Sequence, residues 1–236
     1  MILAPFQRWK NLINVKALHS IISVLDVAYK VVGVTPEKKD VFNCFTECPY
    51  DKLKVVIIGL DPYPQQGVAT GLAFANKEGT KELSPSLSVI RDALFNPHNP
   101  SIWPTGENVE ELKNNFDITL KHWANQGVLL LNSALTAKIG FSELHIDLWR
   151  PFMVTLLTEL SLRNPGIVYI LYGTVAKNLA VYINHANNCV LKENHPAQFA
   201  RLSQEMDDEM FINTNNYLKE HYGETIDWYG IRKYKN

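Results

Sequence analysis

Asp61, Asn132 and His195 are far apart in the chain, yet each stands at or just beyond the end of a short apolar run. Asp61 follows Val55-Val56-Ile57-Ile58-Gly59-Leu60, and Asn132 closes Val128-Leu129-Leu130-Leu131. His195 lies shortly after Cys189-Val190-Leu191. A carboxylate, a carboxamide and an imidazole can together face a developing cation, pair with a hydrogen-bonding edge and donate to a developing anion. Taken singly, each has an ordinary explanation. Asp61 before Pro62 can shape a turn, Asn132 can cap one, His195 before Pro196 can belong to a loop, and Phe74 can be core. Other chemistries find no support. No Gly-Lys-Ser/Thr follows the glycines near Gly67 and Gly71, so a Walker-type phosphate loop is excluded. Ser133 lacks the Gly-x-Ser-x-Gly elbow of a hydrolase triad. Cys44, Cys48 and Cys189 lack the paired spacing of a zinc site and read as free thiols.

The elements that must hold these residues follow from the apolar pattern. Besides the three runs above, Ile167-Val168-Tyr169-Ile170-Leu171 is a fourth. All are short, and none alternates with polar residues, as expected of parallel strands buried on both faces. Helical spacing predicts helices near 12–30, over Leu112 to Gln126, from Pro151 to Arg163 with the proline in the first turn, over Val175 to Asn184, and over Glu205 to His221. Residues 96–108, with Pro97, Pro100, Pro104 and Gly106, read as a long loop. The expected fold class is α/β: a single domain over 1–236 with a central four-stranded, mainly parallel twisted sheet flanked by helices on both faces. About residues 1–34 form an N-terminal helical segment packed on it. In such a sheet, ligands bind beyond the carboxyl ends of the strands, where all three polar residues fall.

Composition narrows the field. The 236 residues are 46% hydrophobic and 20% charged, enough to bury a full core, which excludes a disordered or disulfide-stapled chain. Lys and Arg total 23 against 24 Asp and Glu, a net charge of −1, so no global cationic field draws the chain to nucleic acid. Contacts to phosphate must come from local groups. No apolar run approaches the ~20 residues that span a bilayer. No export signal is evident, so the cytoplasm is the expected location (nucleoid-associated, or host cytoplasm or nucleus for a viral chain).

The string from Val55 through Gly59-Leu60-Asp61-Pro62-Tyr63-Pro64 to Gly71-Leu72-Ala73-Phe74 resembles the signature of the uracil-DNA glycosylase family, of the uracil-N-glycosylase type. Further similar segments follow in order: Pro36 to Asn43, Pro85-Ser86-Leu87, Gln126 to Asn132 with Leu135-Thr136, Tyr172-Gly173-Thr174, His195-Pro196 and Glu224 to Trp228. The likeness covers about residues 35–230. It implies hydrolysis of the N-glycosidic bond between uracil and deoxyribose in single- or double-stranded DNA, with the base flipped out of the stack and no metal or cofactor.

Under that resemblance Asp61 stabilises the cationic sugar and holds the attacking water, and neutral His195 donates to uracil O2. Asn132 reads N3–H and O4, Phe74 stacks on the base, Tyr63 excludes the thymine methyl, and the Leu60 backbone N–H contacts uracil. Pro85, Ser86, Gly173, Thr174, Pro196, Ala197, Phe199 and Arg201 contact DNA, with Phe199 as the inserted wedge. The same groove would admit a protein inhibitor that mimics DNA, and a monomer is expected. The family's usual Gly-Gln-Asp-Pro-Tyr-His is altered at Leu60 and Pro64, and Ala197 and Gln198 replace a serine and a proline. A rival expectation is a catalytically weak relative that serves as a DNA-binding scaffold or processivity subunit; retention of Asp61 and His195 argues against it.

Overall fold

A computed structural model describes residue 6 and residues 9–95 and 109–229. The expected loop at 96–108 lies outside the described residues. The strands, in chain order, are β1 (Val34–Thr35), β2 (Val55–Gly59), β3 (Val128–Asn132), β4 (Ala137–Lys138), β5 (Val168–Tyr172) and β6 (Cys189–Glu193). β2, β3, β5 and β6 form one parallel sheet in the order β3-β2-β5-β6, and β1 pairs with β4 in a small antiparallel ribbon. The four apolar runs thus form parallel strands as expected; β2, β3 and β5 are buried throughout, whereas β6, at the sheet's edge, is only half-buried.

Alternate strand residues feed two separate apolar clusters. On one face Val56, Ile58, Leu129, Leu131, Tyr169 and Leu171 meet Leu18, Ile21 and Leu25 of α1 (Val15–Val31) and Trp149, Phe152 and Leu156 of α6 (Ile146–Arg163). The N-terminal helix is therefore part of the core. On the other face Val55, Ile57, Leu130 and Ile170 meet Leu87 and Ile90 of α3 (Pro85–Leu94), Trp123 of α5 (Lys121–Asn125) and Phe211 of α9 (Glu209–Tyr222). Short helices α2 (Asn43–Glu47), α4 (Val109–Asn114), α7 (Gly173–Asn178) and α8 (Pro196–Leu202) complete the described set.

Several helix boundaries differ from the sequence expectation. The helix expected over Leu112 to Gln126 is two, α4 and α5. Asp117 separates them: its carboxylate accepts from the N–H groups of Thr119 and His122, a local alternative to helical bonding. Leu120 then turns left-handed, with φ of 53°. Pro151 sits inside α6, not at its start, so the helix begins five residues earlier than expected. Val175 to Asn184 is α7 from Gly173 followed by a 3₁₀ turn at Leu179–Tyr182, and the last helix starts at Glu209, not Glu205.

The strand order has one reversal. From β2 the chain adds β3 on one side, then returns to place β5 on the other. Such a switch point opens a crevice at the carboxyl ends of the strands.

Candidate active site

Asp61 follows β2, Asn132 ends β3, Tyr172 ends β5 and His195 lies just past β6, so all four project from one edge of the sheet. The loops after β2 and β3 are laced together. The Ser133 N–H and hydroxyl both donate to the Gly59 carbonyl, at 3.0 and 2.8 Å, and the Ala134 N–H donates to the Leu60 carbonyl. A Cβ on Gly59 would lie 2.6 Å from Asn132 Oδ1 and 3.0 Å from the Phe74 ring, so only glycine lets the amide and the ring close the floor.

A narrow cavity of about 30 Å³ results, lined by Leu60, Asp61, Tyr63, Phe74, Asn132 and His195 among others. It opens onto a groove of about 520 Å³ that Leu60, Asp61, Tyr63, Ser86 and His195 also line. Phe74 is buried with φ of 66°, a left-handed conformation that is strained for a bulky residue. Its ring packs edge-on to Tyr172 at 5.5 Å and tilted to His195 at 5.6 Å. The Tyr63 hydroxyl lies 2.9 Å from the Phe74 carbonyl and 2.5 Å from Ser84 Oγ, which in turn reaches Asn76 Oδ1 at 2.8 Å. This chain of bonds fixes the Tyr63 ring as a wall, and burial pushes its phenol up to about 12.

The three polar groups are electrostatically distinct. Burial raises the Asp61 carboxyl to about 6, outweighing the bond its Oδ2 accepts from the Glu143 N–H at 2.6 Å. Burial, helped by the Arg201 charge, lowers His195 to about 4. The imidazole is thus neutral at pH 7. Its Nδ1 accepts from the Ala197 N–H at 3.2 Å as the N-cap of α8, which leaves the proton on Nε2. Asn132 is 8% exposed, yet its amide makes no hydrogen bond within the described residues. Because it lines the cavity, it leaves both an acceptor and a donor free for a ligand with a complementary edge.

The groove gathers most of the expected DNA-contact residues: Pro85, Ser86, Gly173, Thr174, Ala197 and Arg201. Gly173 takes φ of 83° where a Cβ would crowd His195 Cβ at 3.0 Å, which lets α7 start directly at the end of β5. Pro196 and Phe199 do not line it. Pro196 is buried in the first turn of α8, and Phe199 packs half-buried against the second apolar cluster, so a wedge role requires its ring to leave that packing. The Pro85-Ser86 segment is the first turn of α3. Glu143, Ser84 and Asn76 were not foreseen. Glu143 acts on Asp61 through a backbone N–H, which no residue type advertises.

The model of the uracil DNA glycosylase superfamily matches residues 45–219, most of the chain. The chain belongs to that superfamily. Uracil-DNA glycosylase 1 of Listeria monocytogenes is 35% identical over 203 residues, covering 83% of each chain. The uracil-DNA glycosylase of Phocaeicola vulgatus is 34% identical over 201 residues, covering 85% of this chain and 86% of its own. Among solved structures, mimivirus UNG Y322F in complex with UGI matches with a TM-score of 0.78 at 21% identity, over 95% of this chain and 88% of that one. UNG from Nitratifractor salsuginis matches at 0.55 and 21%, over 85% and 92%. These two likenesses establish the fold. As in other α/β folds, the cavity lies at the carboxyl ends of the strands, where the sheet order switches.

Proposed function

We propose that this chain removes uracil from DNA by hydrolysing its N-glycosidic bond, leaving free uracil and an abasic site. The observation that carries the reading is the convergence of Asp61, Asn132 and His195, from three separate strand ends, on one cavity walled by Tyr63 and Phe74. A base in a duplex cannot reach this cavity, so it must be flipped, at a cost of roughly a few kcal/mol.

Each group then has a task suited to its state. Asn132, unpaired and buried, accepts from N3–H and donates to O4, the pattern of uracil and not of cytosine. The wall at Tyr63 excludes a C5 methyl by overlap. His195 donates its Nε2 proton to O2, a bond that strengthens as the departing base gains negative charge. Asp61, ionised above about 6, faces the cationic sugar and orients water for attack on its C1′. A proton is released to the carboxylate as the water adds.

The groove supplies the DNA contacts. Ser86, Thr174 and the backbone at Gly173 offer donors to phosphate, and Arg201 adds one local charge. Few such contacts suit a chain with a net charge of −1.

Oligonucleotides carrying U, T or C at one position, followed by alkaline scission of abasic sites, test the reading. Scission at U alone is expected. Scission at no base would contradict it and favour a DNA-binding scaffold.

A further inference from the structure

One acidic residue at the mouth of the cavity has no task in the steps above. Glu143 lies in the turn after β4, and that turn is tied twice to the Asp61 loop: the Gly140 N–H donates to the Pro64 carbonyl at 2.9 Å, and the Glu143 N–H donates to Asp61 Oδ2 at 2.6 Å. The second bond is short, as expected for a donor to a carboxylate. Glu143 adopts φ of 69°, a left-handed backbone rarely taken by residues with side chains. Strain of this kind persists where surrounding structure enforces it, and functional sites are a common setting.

We propose that Glu143 is a positioning residue for Asp61: its N–H holds Oδ2, leaving Oδ1 for water and sugar, and its carboxylate adds negative charge at the cavity mouth. The titratable or charged groups that line the cavity and groove around Asp61 are Tyr63, Glu143, Tyr172, His195 and Arg201. Glu143 is the one acid among them, and His195 is neutral above about 4. Removing the Glu143 charge therefore makes Asp61 easier to ionise. It also lowers repulsion of the DNA backbone along the groove. Only the kinetic consequence depends on the glycosylase reading above.

Carbon-13 titration of the Asp61 carboxyl, with the residue-143 amide followed in the same samples, tests this. In Glu143→Gln the Asp61 midpoint is expected to fall by about half a pH unit, the scale of one partly screened neighbouring charge. The residue-143 amide in that variant should titrate with the Asp61 midpoint, and should lose that transition when Asp61→Asn is added. Glu143→Asp, which keeps the charge, should hold the midpoint near its original value. The acidic limb of kcat/KM should move with the carboxyl midpoint. An unmoved midpoint in Glu143→Gln, or an amide indifferent to Asp61, would overturn the assignment. Coupling seen by resonance in a protein that releases no uracil would support the clamp and count against the glycosylase reading instead.

Discussion

Two buried carboxamides sit at opposite ends of the same sheet. Asn188, just before β6, is 7% exposed and fully paired: its Oδ1 accepts from the Ile167 N–H at 3.0 Å, and its amide donates to the carbonyls of Ser161 and Asn184 at 2.9 Å. Asn132, at the end of β3, is 8% exposed and pairs with nothing among the described residues. At the amino end, then, the Asn188 amide is held by bonds within the chain. At that end Gln126 also exchanges a reciprocal pair of bonds with the Asp227 backbone. The carboxyl end instead holds an unpaired amide, a carboxyl raised by burial, an imidazole lowered by it, and a strained Phe74. The same residue type stabilises the fold at one end and, in the function proposed above, meets a ligand at the other. For these two amides burial does not separate the roles; satisfaction of their polar atoms does.

The contrast can be broken most sharply at Asp61. Asp61→Asn should lower single-turnover uracil release by about 10²–10⁴-fold while DNA affinity changes little. In the unsubstituted protein, kcat/KM should fall as pH drops through about 6, because Asp61 becomes protonated there. His195 stays neutral down to about 4, so it adds no second limb in between. The residual rate of Asp61→Asn should lack the limb near 6. A rate profile flat to pH 5 in the parent protein would show that this carboxylate is not required in its charged form.

The amide pair supplies the next test. Asn132→Ala should reduce kcat/KM for uracil by about 10²-fold, the worth of roughly two hydrogen bonds. Its unfolding free energy should change by less than about 1 kcal/mol, because no internal bond is lost. Asn188→Ala should do the reverse: a loss of about 2–4 kcal/mol in urea unfolding, with kcat at a permissive temperature nearly unchanged. Equal effects of the two substitutions on both measurements would erase the distinction between the ends.

Much of this arrangement was legible in the chain. The four strands announced themselves because runs such as Val55 to Ile58 and Val168 to Leu171 are apolar on both faces, and the rule for ligand sites at strand ends then selected Asp61, Asn132 and His195. Helix limits were less legible where one side chain overrides periodicity. Asp117 caps the turn that splits α4 from α5, and a hydrophobic pattern does not register a carboxylate bonded to two backbone N–H groups. Pro151 lies inside α6 because residues 146–150 continue the helix on its amino side. The Glu143 contact was invisible for a different reason: it is made by the main chain, so its side chain carries no signal of it. Ser84 was missed as a support for Tyr63 because it acts across 21 residues through a single hydroxyl.

The most direct trial is a crystal structure of Asp61→Asn bound to a uracil-containing oligonucleotide. The extruded base should occupy the hollow beneath Phe74, with the Asn132 amide on N3 and O4, His195 Nε2 on O2, and flanking phosphates along the Ser86, Thr174 and Arg201 surface. A base still stacked in the helix, or DNA bound on another face with Asn132 untouched, would contradict it.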